Sequence, residues 1–316
     1  MRNLDLEKRL SDHPDDVHTY EVYADWLQSH AQPRGELIAL MLRAEGRPSS
    51  KLATEISAFE QRHAGVLRGP APFGGDLTWR RGFIESVRLD RTHLTDPLAR
   101  VLDAVLAHPS AALISTLVFR DWSPSEDIQE LLDVLARHAP RSLRTIQIDA
   151  TNEIPGLAQL DALTNLTSLD ITSSGSRASY AAPALSWQLG PQALRDIAHH
   201  RWPLTRLSLV FGQGDAEFAD LRPLFTRDDT SITHLSISSA ALARTREEFS
   251  TELVNALVAS PLASQLEYLD LTMNLSRADY RVLTDHRHRF KKLRSATFPV
   301  ERHAAKMLSR GSAYNR

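Results

Sequence analysis

Arg206, His234 and Tyr268 hold the same place in three successive copies of a recurring frame, 28 and then 34 residues apart. A guanidinium, an imidazole and a phenol set side by side can grip another molecule through directed hydrogen bonds and aromatic area. Arginine and tyrosine are over-represented among the residues that dominate protein interfaces. Asp170 and Asp270 fall two places further along the frame in their own copies and would put carboxylates beside that row. A stretch of small residues, SSGSRASYAAPALSWQLG at 173–190, carries Tyr180 and Trp187. The seven residues Arg206, His234, Tyr268, Asp270, Asp170, Tyr180 and Trp187 are the candidate partner-binding set. A plainer reading stands beside it: Arg206 and Tyr268 stack across His234 as cross-strand packing, and Trp187 tucks against a neighbouring helix.

Covalent chemistry finds little support. The chain has no cysteine, which excludes a thiol nucleophile, a CxxC metal knuckle and disulfide caps. It holds no Walker phosphate loop, no GxGxxG after a strand, no GxSxG and no HExxH. Gly212-Gln213-Gly214 reads as a turn rather than a phosphate cradle. Thirteen histidines are present, but the adjacent pair His199-His200 would point in different directions from a helix end, where an imidazolium suits the dipole. His286 and His288 lie in the basic run Asp285–Arg289, which reads as solvated. The expectation is a non-enzymatic binding protein with no catalytic residue, metal or cofactor.

The elements that would position the candidate row follow from the frame itself. In Leu266–Asn274, LEYLDLTMN, Leu269 and Leu271 alternate with Tyr268, Asp270 and Thr272, the period of a strand with one buried face. The same L-x-x-L-x-L spacing begins at 84, 114, 143, 166, 204, 232 and 293. Eight copies at an average step of about 30 residues are what a strand, a helix and two turns require, stacked as a solenoid. Between them lie helix signals. Asp96-Pro97 reads as an N-cap and first helical residue before the stripe Leu98, Val101, Leu102, Val105. Ser123–Glu126 and Thr245–Glu248 read as capping boxes. The step from 143 to 166 is too short for a full helix, and the step from 166 to 204 contains the 173–190 loop.

Over residues 80–300 the chain resembles leucine-rich repeat proteins of the long-repeat type. That resemblance implies an α/β right-handed solenoid of about eight β-α repeats, with a parallel concave sheet and helices on the convex side. The third, fifth and seventh positions of each copy would then face outward from the sheet. One departure concerns the ninth position. Only Asn274 is asparagine there; the other copies carry Thr92, Trp122, Thr151, Ser174, Gly212, Ala240 and Glu301. A continuous asparagine ladder is absent, so irregular turns are expected.

Residues 1–68 read as a small all-α module, from Val17, Tyr20, Ala24 and Leu27 and from Leu52, Ile56, Phe59 and His63 at helical spacing. Asp16, Tyr23-Ala24-Asp25-Trp26-Leu27, Pro33-Arg34-Gly35-Glu36 and Trp79-Arg80-Arg81-Gly82-Phe83 resemble the short repeat-companion module found ahead of leucine-rich repeats in some large-genome bacteria. No general activity follows from that resemblance. Asp25, Arg34 and Glu36 are expected to cap helices and pair across the break, and Trp26 to be core. Pro/Gly-rich residues 69–76 form the expected linker, residues 77–300 the solenoid and 301–316 a basic tail. Trp79 and Phe83 are expected to dock the module on the first repeat.

The net charge of −2 is close to neutral. Residues 1–60 hold seven Lys/Arg against eleven Asp/Glu, and residues 277–316 eleven against three. The charged N-terminus lacks a signal-peptide core and no apolar run reaches membrane-spanning length. A cytoplasmic location without membrane contact is therefore expected. The expected partner is a protein, as for a bacterial immunity or regulatory factor. The alternative is a nucleic-acid-binding adaptor that uses the basic C-terminal segment.

Overall fold

Seven strands start at the third position of the frame: β3 (Thr116–Trp122), β4 (Thr145–Ala150), β5 (Ser168–Thr172), β6 (Arg206–Phe211), β7 (His234–Ser239), β8 (Tyr268–Thr272) and β9 (Ser295–Thr297). Before them come β1 (Asp76–Arg80) and β2 (Phe83–Asp90). In this computed structural model the described residues are 1–68, 76–90, 94, 96–122, 128–150, 154, 156–172, 189–199, 202–211, 218–239, 247–273 and 275–298. The nine strands follow chain order in a mostly parallel sheet. β1 runs antiparallel to β2, and the pairs β2–β3, β5–β6, β6–β7, β7–β8 and β8–β9 are parallel. The chain divides into one unit of residues 1–120 and 126–146 and a second of residues 121–125 and 147–316.

The frame is a packing rule. In the first seven copies, positions one, four and six are buried, from Ile84, Val87 and Leu89 through to Leu266, Leu269 and Leu271. In the eighth copy Ala296 is exposed and Leu293 only half-buried. A backbone device repeats with the side chains. The second-position carbonyl of one copy accepts N–H groups from the second and third positions of the next. Thr167 O accepts from Thr205 and Arg206 at 2.8 and 3.0 Å, Thr205 O from Thr233 and His234 at 2.9 and 3.0 Å, and Thr233 O from Glu267 and Tyr268 at 2.8 and 3.0 Å. Ser115 O does the same for Arg144 and Thr145 in the first unit. Register is thereby pinned where each strand begins; a slip by one residue would turn every buried side chain outward.

Helices α6 (Leu98–Ala107) and α7 (Ile128–His138) follow β2 and β3. In the second unit, α8 (Pro191–His199), α9 (Phe218–Thr226), α10 (Glu247–Ala259) and α11 (Arg277–Asp285) alternate with strands. Among the described residues, the helical content of the short step between β4 and β5 is a 3₁₀ turn, Ala158–Ala162. Asp196 of α8 accepts from Leu157 N at 2.7 Å, and the Trp202 indole donates to Leu160 O at 3.0 Å, so side chains hold this segment in place of a helix. The expected cap of α6 is shifted by one residue. Pro97 is the N-cap, with φ −54°, ψ 138° and no side-chain bond, and Asp96 pairs with Arg100 at 3.7 Å instead. The capping boxes at 123–126 and 245–248 begin outside the described residues, as do all the ninth-position residues except Trp122. Among the described residues no helix is long and apolar enough to cross a membrane.

In the first unit, α1 (Leu4–Asp12), α2 (Val17–Ser29), α3 (Pro33–Gly46), α4 (Ser50–Arg62) and α5 (Ala64–Arg68) precede the sheet. Phe83 packs with Leu10, Tyr20, Tyr23, Leu27 and Ile38. Trp79 packs with Leu37, Leu40, Leu52, Phe59 and Leu67. These helices and the β1–β2 hairpin thus share a core. The hairpin turns at Arg81 (φ 47°) and Gly82 (φ 77°). A Cβ on Gly82 would overlap Ile38 Cγ1 and press on the Ile38 backbone, so only glycine lets α3 approach. Arg81 then donates through Nε to both Glu45 carboxylate oxygens (2.9 and 3.0 Å) and lies 5.1 Å over the Tyr20 ring.

Two local expectations need correcting. Arg34 pairs with neither Asp25 nor Glu36, both exposed. It is buried, donates to the Tyr23 hydroxyl at 3.3 Å and lies 4.9 Å from the Phe83 ring centre. Tyr23 in turn donates to buried Glu7 at 2.6 Å. The helix break brings the chain back over an aromatic floor, so Arg34 turns inward. Trp26 is only half-buried, against Tyr23 and His30.

Candidate functional site

Strand alternation puts positions four and six of the second unit in the core and turns three, five and seven to the opposite face. The third-position row there reads Ser168, Arg206, His234, Tyr268, Ser295, each directly opposite the next in register. Beside it runs the fifth-position row Asp170, Ser208, Ser236, Asp270, Thr297. Adjacent strands are about 4.8 Å apart, so Arg206, His234 and Tyr268 form one contiguous strip.

The strip is partly preorganised and partly open. The His234 and Tyr268 rings stack with centroids 6.0 Å apart and planes 21° from parallel. Thr233 Oγ1 lies 2.9 Å from His234 Nδ1, which fixes the ring's orientation. That leaves Nε2 directed elsewhere. Arg206 is exposed, and among the described residues its side chain takes part in neither a hydrogen bond nor an ion pair; its guanidinium acts on Asp170 only through its charge. The stack joins two of the three residues that the plainer reading placed in cross-strand packing.

The two carboxylates differ. Asp270 is satisfied: Ser236 donates to Oδ2 at 3.1 Å and Thr272 to Oδ1 at 2.6 Å. Asp170 receives a hydrogen bond from Ser208, yet its Oδ1 is occluded from solvent and has no hydrogen-bond partner. Burial raises the Asp170 pKa above the usual carboxylate value, with the Ser208 bond and the Arg206 charge working the other way. Ser208, Ser236 and Thr233 are the residues that sequence reading passed over. For Ser208 and Ser236 the signal was the same alternation that marked the larger side chains.

Tyr180 and Trp187 lie outside the described residues, so the structure brings together Arg206, His234, Tyr268, Asp270 and Asp170. Among the described residues no group of three or more His, Asp or Glu side chains is placed to hold a metal ion. In comparisons with protein-family models, curated proteins and solved structures, nothing matches this chain.

Proposed function

We propose that this chain is a leucine-rich-repeat interaction protein with an N-terminal repeat-companion module, and that it binds a partner protein without catalysing a reaction. The single observation that carries this reading is the in-register strip of Arg206, His234 and Tyr268, with polar groups left open on a supported sheet face. A sheet presents such a strip with little entropy left to lose, because the backbone and the stacked rings are fixed before a partner arrives. The repeat solenoid is inferred from the frame, the shared carbonyls and the strand order. Its partner would carry acidic or hydrogen-bond-accepting groups for Arg206 and His234 and a flat apolar or aromatic group for Tyr268.

The test compares proteins that co-purify with the wild-type chain and with the Arg206→Ala/Tyr268→Ala variant, quantified by mass spectrometry. Loss of a stoichiometric protein partner from the variant alone supports the reading. Recovery of that partner by both forms rejects it.

A second reading has its own observation. Arg277 and Arg281 of α11 and Arg287, Arg289, Lys291 and Lys292 after it are all exposed. Nucleic acid held there would dissociate steeply as salt rises. A shape-based protein contact would not.

A further inference from the structure

Asp170 and Asp270 occupy the same fifth position, and each is followed two residues on by a threonine, Thr172 and Thr272. Thr272 donates to Asp270 Oδ1 at 2.6 Å and Ser236 to Oδ2 at 3.1 Å, so both oxygens of that carboxylate are held. At Asp170 the next strand supplies Ser208, directly opposite in register. Its Oδ1 is occluded and accepts no hydrogen bond, from Thr172 or from any other residue. A carboxylate short of donors and shut off from water on one side is poorly screened. Its charge therefore bears on whatever lies next to it more strongly than that of Asp270 does.

Arg206 stands within that field. It lies directly opposite Ser168, one strand across and two residues back from Asp170, so the two Cα atoms are about 8 Å apart by backbone spacing. The Arg206 charge reaches Asp170, yet the exposed guanidinium is not committed to it. Its donors are open to a partner, and any acceptor that reaches them also comes close to Asp170. A carboxylate there is drawn by one charge and repelled by the other. A side-chain amide offers Arg206 a carbonyl oxygen without that repulsion, and its NH2 can turn towards Asp170.

We propose that Asp170 sets the specificity of the strip: beside Arg206 it selects an asparagine or glutamine side-chain amide of the partner over aspartate or glutamate. The amide oxygen accepts from Arg206 and the amide NH2 faces Asp170. This selection rests on the strip being the partner site, as proposed above, and narrows the group taken by Arg206 from any acceptor to an uncharged one. Asp270, whose oxygens are both held, makes no such discrimination.

A phage-displayed library of random peptides, selected on the full chain and counter-selected on the Arg206→Ala/Tyr268→Ala variant, supplies the probes. Each strip-dependent peptide is synthesised with its Asn and Gln residues changed singly to Asp and Glu, and the Kd of every form is measured on wild type and on Asp170→Asn. At the position that meets Arg206, wild type should bind the amide form about tenfold or more tightly than the acid form. Asp170→Asn should bring that ratio to about one by raising the affinity for the acid form, whereas Asp270→Asn should leave it at the wild-type value. Asp170→Ser gives the same readout if Asp170→Asn fails to fold. Three results would overturn the proposal while the role of the strip stands: strip-dependent peptides without an amide preference, a preference that survives both Asp170 substitutions, or one that Asp270→Asn abolishes equally. If no peptide distinguishes wild type from the Arg206→Ala/Tyr268→Ala variant, the strip is not a peptide-binding site and the proposal falls with it.

Discussion

The guanidinium of Arg34 lies 4.9 Å from the centre of the Phe83 ring, buried where the helical segment meets the first hairpin. One end of the pair belongs to α3 and the other to the hairpin that opens the first frame copy, so a single cation–π contact ties the two parts of one core. Desolvation lowers the Arg34 pKa, with Tyr23 and Glu7 opposing. Arg34→Ala removes the cation–π contact and the bond to Tyr23, and leaves the Glu7–Tyr23 pair beside a void. A loss of about 2–4 kcal/mol is expected. Urea denaturation of the two proteins measures it, and a loss below about 0.5 kcal/mol would show that the contact carries no stability.

At Gly82 the prediction is steric. With φ at 77° and Ile38 Cγ1 in the space that an added methyl would need, Gly82→Ala should cost about 1–3 kcal/mol. Gly46, where an added methyl meets nothing within 4 Å, is the control; Gly46→Ala should be neutral or slightly stabilising in the same denaturation experiment.

His108 supplies a pH dependence. Burial lowers its pKa below 6.5, the Arg34 charge adds to the shift, and a backbone hydrogen bond to Val66 works against it. Its Nδ1 accepts from Ser110 N at 3.2 Å, a bond that protonation there would remove. The unfolded chain therefore binds the proton more readily than the folded one. Stability rises with pH across the window between the lowered value and 6.5, and is lost as pH falls through it. Unfolding midpoints measured through that range should show the slope, and His108→Asn should flatten it.

Asp170 has the opposite sign. Its folded pKa is raised above 3.8, chiefly by burial, so the folded state holds the proton longer. Stability falls as pH rises from 3.8 through the raised value. Asp170→Asn should melt higher than the wild type at neutral pH and lose that part of the pH dependence. An unchanged or lower melting temperature would show that the lone Oδ1 costs nothing.

Much of this was legible in the sequence, and the reason is periodicity. Leu204, Leu207 and Leu209 recur in place as Ile232, Leu235 and Ile237 because each copy solves the same packing problem, and that is enough to place strands and set Arg206 opposite His234. Contacts without a period were not legible. Arg34 carries the same local pattern whether it pairs with Glu36 or turns onto Phe83, and only the tertiary position of the hairpin decides. Asp170 and Asp270 are likewise equivalent in the frame. Their difference arises from the neighbours, Ser208 on one side and Ser236 with Thr272 on the other. Asp96 and Pro97 compete for the start of one helix, and local pattern does not separate adjacent cap positions.

The affinity of the co-purified partner for single alanine variants at Arg206, His234 and Tyr268, read with the melting temperature of each, measures the role of the strip most directly. A loss of about 2 kcal/mol in binding at Arg206 and Tyr268 is predicted, with the melting temperature unchanged. Lowered melting temperatures with wild-type affinity would contradict it, and would assign the strip to cross-strand packing.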